Sequence, residues 1–125
     1  MSEPKISIIT IVYNGKEDLR KTLENISNQN FLSKELIVID GDSTDGTHKV
    51  IEEYSNEIDV LISEKDQGIY DAMNKGVLNA RGQWLNFMNA GDQYINENIL
   101  SSIFKEDHSS NIDLMIGNTI IDYGD

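Results

Sequence analysis

Ile37-Val38-Ile39-Asp40-Gly41-Asp42-Ser43-Thr44-Asp45-Gly46-Thr47 is the stretch that decides the fold. A short apolar run stops at acids, glycines and hydroxyls, and a helical pattern follows. This is the signature of a buried strand that ends in a loop and feeds a helix. In open parallel sheets, ligands bind where the strands reach their carboxyl ends. Asp40, the first residue beyond the apolar run, is expected at such an edge. Ser43 or Asp42 is expected to cap the following helix, with Asp45 in its first turn. The plainer alternative is that these polar residues only cap and turn the chain. For Asp40 that alternative is the weaker one, because a strand-end acid above a sheet is costly unless paired or used.

The same alternation runs outward in both directions. Ile6-Ser7-Ile8-Ile9-Thr10-Ile11-Val12 is a β-branched run suited to a strand buried on both faces, closed by Tyr13-Asn14-Gly15. Leu19, Leu23 and Ile26 share one helical face, with Glu17 and Asp18 in the first turn, where they suit the helix dipole. Asn28 to Ser33 reads as a loop and Glu35 to Ile39 as the second strand. Val50, Ile51 and Tyr54 mark the next helix, and Asp59 to Ser63 a short third strand. Ile69, Ala72, Met73, Gly76, Val77 and Ala80 form the apolar face of the clearest helix, with Tyr70, Asp71, Asn74 and Lys75 off it and Gly82 as its C-terminal stop. Trp84 to Met88 reads as a fourth strand, stopping at Asn89-Ala90-Gly91-Asp92. Asn96 is placed to cap a helix containing Ile99, Leu100, Ile103 and Phe104. Lys105 to Asn111 is a polar connector and Ile112 to Ile116 a last strand. Strand and helix alternate throughout, which predicts an α/β fold: a mostly parallel, Rossmann-like sheet with helices on both faces.

The chain has 125 residues, 38% hydrophobic and 26% charged, with one Pro and no Cys. That suits one domain with a packed core over residues 1–125 and excludes disulfide or thiolate chemistry. A net charge of −12 argues against a broad basic face for nucleic acid or anionic lipid. A phosphate ligand would then need a divalent cation or helix amino-ends. The amino terminus is not a signal peptide, and Ile6 to Val12 is too short to cross a bilayer. With no Cys, this fits a reducing, cytoplasmic setting.

A parallel sheet brings Tyr13-Asn14, Asp40 to Asp45, Glu64-Lys65-Asp66 and Asn89 to Asp92 to one edge. Tyr13 offers a ring face for a base to stack on. An acid beside it would accept N–H groups, selecting uracil, thymine or guanine over cytosine. Asp92 is the candidate for a divalent metal that bridges a diphosphate. Met73 and Trp84 read as core or rim, Lys75 as either a solvated helix lysine or a phosphate contact, and Glu64 as a strand flank. His48 and His108 carry no assigned chemistry, and Glu52, Glu53, Glu57, Glu106 and Asp107 read as a solubilising surface.

Five motifs in order resemble the signature of family 2 glycosyltransferases: Ile6 to Asn14, Asp40 to Thr47, Asn74-Lys75-Gly76, Ala80-Arg81-Gly82, and Phe87 to Asp92. The run Asp66 to Gly76 is similar to a subgroup that builds bacterial surface polysaccharides. The resemblance covers Lys5 to about Asp92, more weakly to Gly117. It implies an A-type nucleotide-diphospho-sugar fold that moves a sugar from a donor, UDP-linked by expectation, to a saccharide acceptor. It carries nucleotide-binding roles to Val12, Tyr13, Asn14, Asp40, Asp42, Asp66 and Lys75, and the role of holding Mg or Mn to Asp92. Tyr13 would stack near the base, Asp40 line the pocket and Asp66 face the base or ribose. It also implies cytoplasmic work, with at most peripheral contact at the inner membrane face.

Two departures stand out. The family pairs acids at positions 40 and 41, where this chain has Asp40-Gly41 and offers Asp42 instead. The family's acidic turn has acids at 89 and 91, where this chain has Asn89 and Gly91. No residue is assigned as the acceptor's general base, which is expected beyond Asp125, in keeping with a truncated donor-binding part. The alternatives are a binding module without catalysis, and a phospho-receiver domain. The latter would need an acid pair where Tyr13-Asn14 stand and a lysine where Gly117-Asn118 stand.

Overall fold

The computed structural model describes residues 3–105. Four strands, β1 (Ile6–Val12), β2 (Lys34–Asp40), β3 (Val60–Ser63) and β4 (Trp84–Phe87), alternate with four helices. These are α1 (Lys16–Ser27), α2 (Thr47–Glu53), α3 (Ile69–Leu78) and α4 (Ile99–Ile103). All strand pairs are parallel, in the order β3-β2-β1-β4. The doubly wound sheet expected from the sequence is the observed one. The strand expected at Ile112–Ile116 lies outside the described residues.

The β-branched run of β1 is buried along its whole length because it has neighbours on both edges and helices on both faces. Ile6, Ile8 and Val12, with Leu36 and Val38 of β2, pack against Leu19, Leu23 and Ile26 of α1, Val50 and Ile51 of α2 and Leu100 of α4. Ile9, Ile11, Ile37 and Ile39 face Ala72 of α3, with Met73, Val60 and Phe87 at its margin. The chain steps from β1 to β2 to β3, then returns to the other side of β1 as β4. That reversal puts a topological switch point beside β1, at the carboxyl edge of the sheet.

Several local expectations differ from the structure. Asp40 is the last residue of β2, in register with Val12 and Ser63, rather than the first residue beyond it. Neither Ser43 nor Asp42 caps α2: its N-cap residue is Gly46, and the side-chain bonds to the helix start come from Asp45, one residue earlier. Its Oδ1 accepts from Thr47 N (3.0 Å) and Thr47 Oγ1 (2.5 Å), so Asp45 precedes the helix instead of lying in its first turn. Those bonds, the Thr47 hydroxyl's first, hold the Asp45 carboxyl below its usual range. Helix α3 ends at Leu78, and its apolar stripe is narrower than expected, since Ile69 and Val77 are partly exposed. Gly82 is not its cap but a close-approach residue. A Cβ there would stand 2.5 Å from Ser7 N, so only glycine lets this turn lie on β1. Asn96 does not cap α4 directly; its Oδ1 accepts from the N–H of Asn98, the N-cap residue.

The sequence reading treated Glu35 as an ordinary strand residue, yet it is only 2% exposed. Its carboxylate accepts from Ser7 Oγ (2.5 Å), Arg81 N (2.6 Å) and Arg81 Nε (3.2 Å), while Gly82 N donates to Ser7 Oγ (2.8 Å). Burial raises its pKa, but the bonds from Ser7 and Arg81 outweigh that and hold it below the ordinary 4.5. A depressed carboxyl contributes stability above its unfolded pKa and loses it as pH falls through the folded one. Glu35→Gln is therefore expected to cost about 1–3 kcal/mol near neutrality. Urea titrations of the two proteins should converge as the pH drops below 4.5. By contrast, the Thr10 hydroxyl is buried without a hydrogen-bond partner among the described residues. Thr10→Val, which replaces it with a methyl of similar size, is expected to raise stability by about 1 kcal/mol in thermal unfolding.

Candidate functional site

The carboxyl ends of the parallel strands bring the polar loops to one rim, and backbone hydrogen bonds stitch them together. Gly41 N donates to Val12 O (2.9 Å), which extends the β1–β2 ladder by one step. Val12 itself is buried, so it supplies scaffold rather than an exposed side chain. Asn14 has a left-handed backbone (φ 49), a conformation its short amide tolerates. Its N–H donates to Ser43 Oγ (2.8 Å) and its Oδ1 accepts from Thr44 N (2.7 Å). On the other side, Met88 N donates to Ile9 O (2.9 Å) and Ala90 N to Ile11 O (3.0 Å), which sets the 89–92 turn beside the end of β1.

Asp40 lies beneath this rim, fully buried. One carboxylate oxygen accepts from Ser43 N (3.2 Å) and Ser43 Oγ (2.6 Å), and the other from Ser63 Oγ (2.8 Å). His48 Nε2 stands 3.5 Å from the second oxygen and 3.1 Å from Ser43 O. His48, assigned no chemistry from the sequence, is exposed and still takes part in the support for this loop. The Asp40 oxygens are occupied by the chain's own donors, and they shape the loop that any ligand would meet. Asp42 is exposed on that loop, with a left-handed backbone (φ 68).

Tyr13 presents its ring to solvent at 66% exposure. A Cβ on Gly41 would stand 2.9 Å from Asp66 Oδ2 and 3.4 Å from Tyr13 Cδ1. The missing side chain at 41 is therefore what allows the Asp66 carboxylate to approach the Tyr13 ring. Lys75 is not the solvated lysine of the sequence reading, since its side chain is 17% exposed. Its ammonium lies 2.6 Å from Asp66 Oδ1, 3.3 Å from Glu64 Oε1 and 3.4 Å from Asp71 Oδ2, and donates to Lys65 O (3.2 Å). The hydrogen bond to Asp66 is the main reason its pKa is held above the lysine range, ahead of the opposing effect of desolvation; Glu64 and Asp71 add to the rise. Asp71 also accepts from Gln67 N (2.9 Å), and that bond lowers its own pKa.

In the 89–92 turn, the exposed Asp92 accepts from Asn89 N through Oδ2 (3.0 Å). The Oδ1 atom of Asn89 is buried and has no hydrogen-bond partner among the described residues. Among the described residues, no group of three His, Cys, Asp or Glu side chains is placed to hold a metal. The protein donors are thus one carboxylate and one amide oxygen. Both are hard oxygens of the kind Mg and Mn take, and they fit such an ion if a diphosphate completes its shell. Sequence reasoning also missed Thr22, Asn25 and Gln29, which bind the 89–98 segment. The spacing of Thr22 and Asn25 along α1, beside the Leu19-Leu23-Ile26 stripe, was the available signal; Gln29 lies past the helix end. A separate hollow of about 220 Å³, lined by Ile26, Lys34, Leu36 and Asp59 among others, lies at the amino end of β2, away from the rim.

Fold and rim are those of a doubly wound α/β unit with the A-type glycosyltransferase architecture. The profile of "Glycosyl transferase family 2" matches residues 7–124, and the chain belongs to that family. This displaces the phospho-receiver alternative. A PGL/p-HBAD biosynthesis glycosyltransferase of Mycobacterium tuberculosis is 33% identical over 126 aligned positions, covering 97% of this chain and 49% of that protein. Glycosyltransferase GlyA of Streptococcus pneumoniae is 29% identical, covering 93% of this chain and 17% of its own length. The chain thus spans about half the length, or less, of these relatives. Among solved structures, S. aureus TarS 1-349 in complex with UDP-GlcNAc is 27% identical (TM-score 0.70, covering 79% of this chain and 30% of TarS 1-349). The mannosyltransferase PcManGT from Pyrobaculum calidifontis, in complex with GDP-Man and Mn2+, shares the fold at 23% identity (TM-score 0.72, covering 80% and 31%). No described helix is long and apolar enough to cross a membrane.

Removing the Lys75 ammonium would leave three carboxylates facing one another. Lys75→Met is expected to melt below the wild type. The gap should narrow as salt is added, because screening weakens the carboxylate repulsion. Melting curves at low and high NaCl check this, and a gap that does not respond to salt would show that lost packing dominates.

Proposed function

We propose that this chain forms the donor-binding part of a glycosyltransferase that moves a sugar from a nucleotide diphosphate, UDP-linked, to a hydroxyl of a saccharide acceptor. The observation that carries the reading is the placing of the exposed Tyr13 ring, with Asp66 beside it across Gly41, on the same rim as the Asp92 turn. A base stacked on Tyr13 would present its edge to Asp66, which the ion pair to Lys75 holds in place. A carboxylate accepts from N3–H of uracil or from the N–H groups of guanine, but meets the bare N3 lone pair of cytosine. The UDP-GlcNAc bound to TarS favours uracil.

The other end of the donor would lie toward the 89–92 turn. Asp92, with the Asn89 amide oxygen, would hold a divalent cation. When bound, such an ion neutralises the diphosphate as it leaves the anomeric carbon. The rim carries Asp42, Glu64, Asp66, Asp71 and Asp92 and would repel a diphosphate without that counter-charge. Attack by the acceptor hydroxyl is direct displacement, and we assign no acceptor base among the described residues. Asn89 and Gly91, standing where the family has acids, also keep open a module that binds the donor without transferring the sugar. UDP binding without sugar transfer by the chain would favour that reading. The cytoplasmic setting and peripheral contact with the inner membrane face belong to this same proposal.

Calorimetry with UDP and Mn2+ tests it. The wild type should bind, and CDP should bind more weakly than UDP. Asp66→Ala and Asp92→Ala should each weaken UDP binding in the presence of Mn2+ on the order of tenfold or more. Absent UDP binding, or affinity unchanged in both variants, overturns the proposal. Tighter binding of GDP than of UDP moves the assignment from uracil to guanine.

A further inference from the structure

Helix α1 carries two buried or half-buried polar side chains beside its apolar stripe, Thr22 and Asn25, and the buried Gln29 follows just past its C-terminal end. All three are fastened to the segment that leaves the sheet after β4. Asn25 Nδ2 donates to Tyr94 O (2.9 Å) and its Oδ1 accepts from Tyr94 N (2.7 Å). Gln29 Nε2 donates to Asn96 O (2.5 Å) and its Oε1 accepts from Leu100 N (3.1 Å). Of the three, Thr22 stands nearest the rim and is fully buried. Its hydroxyl accepts from Gly91 N (2.8 Å) and donates to Asp92 O (2.8 Å), with Asn89 O a longer alternative at 3.4 Å.

We propose that Thr22 is a positioning residue for Asp92, fixing through its hydroxyl the backbone that aims the Asp92 carboxylate. This deepens the proposed function and rests on its reading of the 89–92 turn as the diphosphate and cation end. One hydroxyl serves both the N–H of Gly91 and the carbonyl of Asp92, and so clasps the two-residue stretch of backbone from which the Asp92 side chain projects. The carboxylate is also held from within, by Asn89 N on Oδ2. A protein that offers few ligands to a cation depends on each being held in place, and outer partners that orient a ligand alter metal affinity without touching the ion. Asn25 and Gln29 bind the same segment further from the turn, so they provide an internal contrast.

The test titrates Mn2+ into the full chain at saturating UDP, read by the free Mn2+ signal in electron paramagnetic resonance. UDP affinity without metal is measured alongside. Thr22→Val, which keeps shape and loses the hydroxyl, should weaken Mn2+ binding on the order of 10–100-fold, as outer-partner losses do. It should leave metal-free UDP affinity unchanged. Thr22→Ser should behave as the wild type. Asn25→Ala should melt lower and retain Mn2+ affinity. If Thr22→Val does not fold, Thr22→Ala replaces it, with Thr22→Ser still the matched control. Wild-type Mn2+ affinity in the hydroxyl-free variant overturns the inference, as does an equal loss in Thr22→Ser or in metal-free UDP binding. If the wild type itself shows no Mn2+-dependent UDP binding, the reading of the turn fails and takes this inference with it. If the wild type binds and Thr22→Val matches it, this inference alone fails.

Discussion

The buried carboxylate of Asp40 is the constraint on which the rim depends. A desolvated carboxylate is tolerated only when its oxygens have donors, and here Ser43 of the loop after β2 and Ser63 at the end of β3 provide them. Once Ser43 is held by Asp40, its hydroxyl oxygen is available to Asn14 N, and the loop after β1 is tied to the loop after β2. Ser63, the last residue of β3, brings a third strand end into the same network. The rim is therefore fixed from below by a group that a ligand does not need to touch. Its upper face stays free to carry Tyr13, Asp42 and Asp66.

Glu35 does for the amino edge of the sheet what Asp40 does for the carboxyl edge. Each is a buried acid on β2, satisfied by a strand hydroxyl and by backbone N–H groups of a following loop. Both depend on the position of β2 next to β1 in the interior of the sheet, where helices cover both faces. The strand is held at its two ends by polar networks and between them by Leu36 to Ile39, all buried. Neither acid can be removed alone without leaving its donors unpaired.

The order of elements was legible because apolar runs of β-branched residues and stripes of helical period are local signals. So was the gathering of polar loops at one edge, which follows from parallel strands alone. What the sequence did not reveal were the partners. Nothing in the spacing of Glu35, Ser7 and Arg81 along the chain shows that they meet, since 28 residues separate the first pair and 46 the second. The same holds for His48 beside Asp40 and for Lys75, whose helical position suggested solvent until the loop before α3 folded over it. Glycine was misread for a related reason. Gly82 looks like a helix stop in one dimension, whereas its contact is with β1, across the fold.

The two departures from the family pattern each gain a physical account from the structure. At position 41 the expected acid is a glycine, and the space beside it is met by Asp66 Oδ2, 2.9 Å from where a Cβ would stand. At position 91 the expected acid is again a glycine, with the carboxyl carbon of Asp18 3.6 Å from where its Cβ would stand. In both places a side chain is absent from the loop and a carboxylate from a neighbouring element stands beside the gap. Negative charge near the rim thus comes from the loop before α3 and the first turn of α1 as well as from Asp42 and Asp92 on the loops after β2 and β4. An acid on a loop is aimed by the loop alone. Asp66 is instead fixed by an ion pair to helix α3, and Asp18 is carried on helix α1, whose Thr22 holds the Asp92 backbone. Gly41 is thus the opening through which the Asp66 carboxylate reaches the rim, whereas at position 91 the left-handed backbone (φ 103) is itself what calls for glycine.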